Sequence, residues 1–427
     1  MNGSSLLICG ARIIDPANGF DGEGFVSVRD GRVESCGHMR PGGDFDQTLG
    51  AEGQWLIPGL IDLAARLREP GQSGKGTLRS ESRAALAGGI TTLVLPPDTR
   101  PVIDSPAVLD WLRSRVAELG DFELLPLGAL TRGLEGRVLA EMAALSAAGC
   151  IGVSQAMAPL DDSLLMRRAL EYAATLDLSV HIVPMSGALA GNGCAHEGAV
   201  ATRLGLPAIP VAAETTAMAQ WLALAETTGA RLHFGRLSSA RATTMLIQAQ
   251  SAGLPVTADV AMHALWLSDA DLEGFDPHCH VIPPLRAAED RAALRHAVAS
   301  GAIGAICSDH QPHEADAKTN PFPLTEPGIS GLDTLLSLGL GLIEQGVIEP
   351  IDLVARLTSG PAQILRRASG SLTPGARADL VLLDPRANWE ASPQTLRSRG
   401  HNSPFLGQGL RGRVLGTWFA GHRVFEG

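Results

Sequence analysis

The sequence predicts an α/β chain: a (β/α)8 TIM-type barrel carrying a small β-sandwich built from both chain ends. Three observations lead there. Short apolar runs alternate with amphipathic helical stretches from about residue 56 to residue 367; both termini read as strands and turns with no helical period; and 427 residues, at roughly 100–200 per domain, suit one large barrel with an appendage. The first segment, LLICGARIID, is followed by FVSVRDGRVES, in which Asp30-Gly31 between alternating apolar positions signals a hairpin. The chain closes with the same texture: ADLVLLD, then RGRVLGTWFAGHRVFEG with a turn at Ala420-Gly421. We therefore expect a composite sandwich from residues 1–56 and 370–427, and a barrel over residues 57–369.

The eight barrel strands are expected at Leu60–Leu63, Ile90–Leu95, Phe122–Leu127, Cys150–Val153, Ser179–Val183, Arg231–Phe234, Pro255–Asp259 and Ile303–Cys307, each followed by a helical segment. One helix has its limits written out, with Ser105 as N-cap, Pro106 at the first helical position and Gly120 at the end.

Composition excludes several classes of function. Hydrophobic residues make up 45% and charged residues 19%, ordinary globular usage. The net charge of −11 discourages binding to phosphate backbones and anionic membranes, so nucleic acid is not an expected partner. The opening MNGSSLLICG lacks a signal peptide's basic start, no run reaches the ~18 apolar residues of a membrane span, and a cytoplasmic protein is expected. Cys9, Cys36, Cys150, Cys194, Cys279 and Cys307 form no CxxC pair and read as reduced thiols rather than disulfides or a zinc knuckle.

Chemistry in such a barrel gathers at the C-terminal strand ends. Strand one ends in PGLIDLAARLREPG, bringing Ala64, Arg66 and Arg68 to the mouth; strand two brings Asp98; strand eight delivers Asp309, His310 and His313. That last segment alone would suit metal binding or proton transfer. A hydrolytic metal site needs at least three N, O or S ligands, and the other strand ends offer Ala64, Arg66, Gln155, Ala156, Val183 and Arg236. Lys75 and Lys318, the only lysines, fall in a Gly-rich loop and a polar stretch, where neither reaches an inner strand as a carbamoylated bridge.

The segments PGLIDL, LREPG, AALAGGITTLV, PPDTRPVID, PPLR, SDHQPH, PGISGLDTLL and GARADLVLLD resemble class I dihydroorotases of the amidohydrolase superfamily over nearly the whole chain. The resemblance implies a zinc-binding barrel with an N- and C-terminal sandwich, and ring closure of carbamoyl aspartate in pyrimidine biosynthesis. It also places the departures. The family's His-x-His after strand one falls on Ala64 and Arg66, its acidic pair after strand four on Gln155 and Ala156, its strand-five His on Val183 and its strand-six His on Arg236; the strand-eight aspartate alone is kept, as Asp309. Of the substrate contacts, Arg68 and His313 are kept, Asp98 replaces an Asn, and Ile282 replaces another. With these losses the chain resembles most the non-catalytic dihydroorotase-like chains that accompany aspartate transcarbamoylase in pseudomonads. The resemblance implies a pseudoenzyme without zinc, whose partner is the transcarbamoylase catalytic chain in a hetero-oligomer, with a homodimer as the form of the chain alone. A working cyclic amidohydrolase with a rearranged metal site, or a small-anion sensor, are the alternatives.

Other residues have plainer readings. Arg66 and Arg236 either bind an anion or fill the space of the metals and pair with Asp309 and Asp98; pairing is favoured because a buried guanidinium usually finds a carboxylate. His278-x-His280 has ligand spacing, but its loop setting favours a solvated pair. His181 and His233 read as satisfied core residues, with Asp259 able to pair with either.

Overall fold

The computed structural model describes residues 5–427. Strands from both chain ends join in one eight-stranded sheet. Its order is His422–Glu426, Gly409–Phe419, Leu380–Glu390, Trp55–Pro58, Ser5–Asp15, Phe20–Arg29 and Arg32–Gly37, with Gln47–Gly50 beside Ser5–Asp15. The expected sandwich is thus made by a single sheet curling on itself. The curl starts where the first strand bulges between Cys9 and Ala11, around Gly10 at φ 79°, and changes partner from Gln47–Gly50 to Trp55–Leu56. The curl closes on two hairpin turns. Asp30-Gly31 (φ 51° and 75°) and Ala420-Gly421 (φ 48° and 79°) both turn through left-handed backbone that matches the strand twist. Ala378 joins them, its N–H donating to Gly31 O at 2.9 Å and its O accepting from Gly421 N at 2.8 Å. Ile8, Ile13, Val26, Leu56, Leu380 and Trp418 fill the space enclosed.

The barrel strands lie at Leu60–Asp62, Ile90–Leu95, Glu123–Pro126, Gly152–Ser154, Ser179–Ile182, Leu232–Phe234, Val256–Ala261 and Ala305–Cys307, all parallel to their barrel neighbours. Strand three resumes at Gly128–Ala129 to meet strand four. The ring closes at the mouth itself, where Arg66 N donates to His310 O at 2.9 Å and His310 N to Ala64 O at 3.1 Å. Side chains alternate along the strands. Val180, Ile182, Leu232, Phe234, Ala258 and Val260 join the main apolar core, while His181, His233 and Asp259 take the opposite face. The helix Pro106–Leu119 keeps its written limits, ending on Gly120 at φ 72°, although the Ser105 side chain makes no cap bond. All six cysteines are free. Among the described residues no helix is long and apolar enough to cross a membrane.

Residues 392–408 form a strap that ties the sheet back to the mouth. Two carboxylates hold it, Glu81 fully buried and Asp333 partly so. Asp333 accepts from Arg397 N (2.8 Å) and Ser398 N (3.2 Å); Glu81 accepts from Ser398 Oγ (2.6 Å), Arg399 N (3.2 Å) and His310 Nε2 (2.9 Å). His310 Nδ1 accepts from Gly331 N, so the ring's proton sits on Nε2 and donates to Glu81. Burial alone would raise the Glu81 carboxyl; the bonds from His310, Ser398 and Ser80 outweigh it and keep the group below its usual range. Gly400 passes so close to the segment after strand eight that a Cβ there would sit 2.5 Å from Pro312 Cβ. Glu81→Ala leaves His310 and Ser398 without their acceptor. We expect it to lower unfolding free energy by roughly 3 kcal/mol in urea titration and to open residues 392–408 to limited proteolysis.

Candidate functional site

Four charged side chains from four strand ends meet at the floor of the mouth. Arg66 Nε donates to Asp98 Oδ2 at 2.8 Å, and Arg66 Nη1 donates to Asp309 Oδ1 at 3.3 Å. Arg236 Nε stands 3.5 Å from the same Asp309 oxygen, an ion contact without hydrogen-bond geometry. The side chains of Arg66, Arg236 and Asp309 are 6%, 8% and 2% exposed, while Asp98 keeps 28% open. Of the two readings of Arg66 and Arg236, the geometry is that of ion pairs. Burial alone would raise the Asp98 carboxyl, yet the charges of Arg66, Arg68 and Arg236 hold it below its ordinary range. Burial alone would likewise discharge Arg66; Asp98 and Asp309 reverse that, and the guanidinium stays a cation.

The strand ends that carry these groups are bent. Arg68, Ala156, Arg236 and Asp309 all have left-handed backbone, with φ of 65°, 49°, 54° and 43°, a conformation that costs a non-glycine residue about 1–3 kcal/mol. The remaining strand-end positions hold no charged group. Gln155 turns toward the strand-three loop, accepting from Thr131 Oγ1 at 3.0 Å and donating to Leu134 O at 3.0 Å, while Ala156 and Val183 are buried and apolar. A divalent cation does not fit this donor set: its two carboxylates, Asp98 and Asp309, already face guanidinium groups, Asp98 that of Arg66 and Asp309 those of Arg66 and Arg236. Among the described residues no group of three or more His, Cys, Asp or Glu is placed to hold a metal ion.

Beneath the floor, Asp259 accepts from Arg236 N (2.7 Å) and Cys307 Sγ (3.3 Å) and lies 2.8 Å from His233 Nε2. Strand seven neighbours strand six, not strand five, so Asp259 meets His233 and leaves His181 to Ser179 Oγ at 3.0 Å. Burial and the adjoining His233 push His181 well below its usual range, which keeps it neutral.

The outer mouth is a cavity of about 480 Å3 lined by Arg66, Arg68, Asp98, His313, Glu326 and Ile282 on one side and by Met157, Met185 and Ile209 on another. Arg68 Nε donates to Pro312 O at 3.0 Å and Arg68 Nη2 lies 3.1 Å from His313 Nε2; no described carboxylate stands within ion-pair distance of it. Burial and Arg66 lower its pKa to about 10. His313 also faces Lys75 Nζ at 3.0 Å, and burial together with Arg68 and Lys75 pushes it down to about 2, a neutral ring at any working pH. His310, three residues earlier, turns away to Glu81 and does not line the cavity.

Two expectations are corrected. His278 and His280 are not a solvated pair: His280 is buried, with Nδ1 2.8 Å from Thr325 Oγ1 and its ring 5.0 Å from Phe322, and burial with the Lys318 charge lowers it to about 4. Lys318, from a stretch that reads as polar loop, is buried too, donating to Glu326 O at 2.6 Å with its amine lowered to about 8 by burial. Sequence reasoning missed Lys318, Glu81 and Arg286 as structural charges; the lone signal was that the chain's two lysines both flank the mouth segments.

Removing one member of a buried ion pair strands the others. Arg66→Met leaves Asp98 and Asp309 without their guanidinium and should lower unfolding free energy by about 3–5 kcal/mol. The exposed pair Arg167–Glu171 supplies the control, where Arg167→Met should cost at most about 0.5 kcal/mol in the same titration.

The model of the family described as dihydro-orotase-like matches residues 53–242, and that of the amidohydrolase family matches residues 208–424. The chain is 47% identical to a dihydroorotase-like protein of Pseudomonas aeruginosa, over 99% of this chain and 100% of that one, and 48% identical to one of Pseudomonas putida over 98% of each. A dihydroorotase of Anaeromyxobacter dehalogenans is 42% identical over 99% of this chain and 98% of its own length. Among solved structures, an L-hydantoinase from Arthrobacter aurescens superposes with a TM-score of 0.88 at 22% identity, covering 99% of this chain and 96% of that one, a likeness of fold alone. On this footing the chain belongs to the dihydroorotase-like proteins of the amidohydrolase superfamily.

Proposed function

We propose that this chain is a catalytically silent dihydroorotase-like protein that acts as the non-catalytic partner of aspartate transcarbamoylase. The observation that carries the silent half is the Arg66 guanidinium, seated between Asp98 and Asp309 at a position the family resemblance gives to a metal ligand. A guanidinium about 4 Å from a divalent cation is repelled by roughly 8 kcal/mol at an effective dielectric near 20. Arg236 on the same carboxylate adds to that. Without a metal to lower the pKa of water, hydrolysis of a cyclic amide lacks its nucleophile, and neutral His313, held between Arg68 and Lys75, is a poor base.

The partner half draws on the family resemblance and on the likeness to the two pseudomonad dihydroorotase-like proteins. It is supported by where the structure keeps its rigidity. The barrel closure, the strap and the curled sheet are held by backbone and buried carboxylate hydrogen bonds, while the carboxylates at the mouth are taken up by arginines, which favours a fold that acts through its surfaces. A second reading, a small-anion sensor, is favoured by one observation: Arg68 borders the 480 Å3 cavity with no carboxylate partner.

Co-expression with the transcarbamoylase catalytic chain, followed by size-exclusion chromatography and elemental analysis, tests the proposal. We expect one mixed peak, transcarbamoylase that assembles fully only when this chain is present, and less than about 0.1 zinc per copy of it. Separate elution at micromolar concentration with equally active transcarbamoylase, or stoichiometric zinc lost in Asp309→Ala, overturns it.

A further inference from the structure

Beside the ion-paired floor the structure encloses a second, much smaller cavity of about 10 Å3, close to the room one water-sized guest requires. It lies where the ends of strands six and seven meet the Pro283-Pro284 loop, and its walls include Arg236, Ser238, His263, Arg286, Arg291 and Asp309. Three of these residues carry a buried nitrogen with no hydrogen-bond partner: Arg236 Nε, His263 Nδ1 and Arg286 Nη2. They are 7%, 5% and 3% exposed, so bulk water does not serve those groups. A stranded donor is rare in a folded interior. Two stranded guanidinium donors with an unpartnered imidazole nitrogen beside them, around one guest-sized space, point to an occupant.

Charge and bonding capacity identify its class. Three guanidinium groups line the cavity against one carboxylate, Asp309, which already takes Arg66 Nη1 on one oxygen and Gln311 Nε2 on the other at 3.3 Å. Arg286 has no described carboxylate within ion-pair distance; its Nε donates to Ser238 Oγ at 3.1 Å and its Nη1 to Ile209 O at 2.8 Å, with His196 Nδ1 at 3.2 Å. Arg291 donates to Trp266 O at 2.8 Å. The neighbouring acids lie outside the wall: Glu214 accepts from Ser238 N at 2.7 Å on one oxygen while its other oxygen has no partner, burial pushes it toward its neutral form, and Asp290 accepts from Ala240 N at 2.8 Å. Guanidinium N–H groups only donate. A water molecule would satisfy them but must place two hydrogens of its own, and the one carboxylate in the wall is already engaged. A guest that only accepts, carries negative charge and is a single atom across meets the conditions of bonding and charge.

We propose that this cavity is a buried halide site, holding one chloride between Arg236 Nε and Arg286 Nη2, with His263 donating from Nδ1. The ion would offset the repulsion among Arg236, Arg286 and Arg291 and join the end of strand six to the Pro283-Pro284 loop, which makes the stability of the fold depend on halide. The proposal is independent of the transcarbamoylase reading. Two measurements on the unaltered chain test it. Crystals grown in sodium bromide should show an anomalous peak inside this cavity. In solution, replacing sodium gluconate by sodium chloride at constant ionic strength should raise Tm by roughly 1–2 °C per tenfold increase in chloride once the site begins to fill. Arg286→Met, which removes one donor and one positive charge, should abolish that dependence; if that variant does not fold, the two measurements on the unaltered chain still decide. Ordered water without anomalous signal, or a Tm that is the same in chloride and gluconate, overturns the proposal.

Discussion

The Arg66 guanidinium between Asp98 and Asp309 is the contact around which the mouth of this barrel is organised. Asp309 is almost fully buried at the end of strand eight, and an isolated carboxylate in such a place costs several kcal/mol of lost hydration. Two guanidinium groups set positive charge against one of the Asp309 oxygens. Their own desolvation offsets most of the gain, so the arrangement adds little net stability over an apolar floor. What it does is exclude. With Arg66 and Arg236 in place the charge at the floor is already balanced, and a cation entering it would have to displace one of them.

The backbone at the mouth is held in an expensive form. Left-handed φ at Arg68, Ala156, Arg236 and Asp309 falls on the ends of four different strands, and such geometry persists only where surrounding structure imposes it. Here the imposing contacts are visible: the Arg66–His310 closure of the ring, Asp259 accepting from Arg236 N, Ser154 Oγ accepting from Ala156 N at 2.9 Å, and the Glu81–Ser398 tie to the strap. The strand ends thus bend inward while presenting arginine, alanine and valine at the mouth.

Much of this could be read from residues in order. Strand ends follow from apolar runs that stop at turn or charged residues, so Arg66, Asp98, Arg236 and Asp309 could all be placed at the mouth, and pairing followed from the need of buried charge for a partner. What could not be read depends on register and on which loops pack together. Asp259 chooses His233 because strand seven adjoins strand six; no periodicity states that adjacency. Lys318 and His280 look solvated because their segments are polar, yet Phe322 and Thr325 cover His280 and Lys318 reaches inward to a backbone carbonyl. The first strand bulges at Gly10, which a run such as LLICGARIID does not distinguish from an ordinary strand.

The claim that pairing has replaced metal chemistry is tested most directly by turnover. The chain, purified from a host without dihydroorotase of its own, is assayed for hydrolysis of dihydroorotate and cyclisation of carbamoyl aspartate, with and without added zinc. The account predicts rates at background in both conditions, and background again when zinc is present throughout refolding. Zinc-dependent turnover that disappears in Asp309→Ala would contradict it.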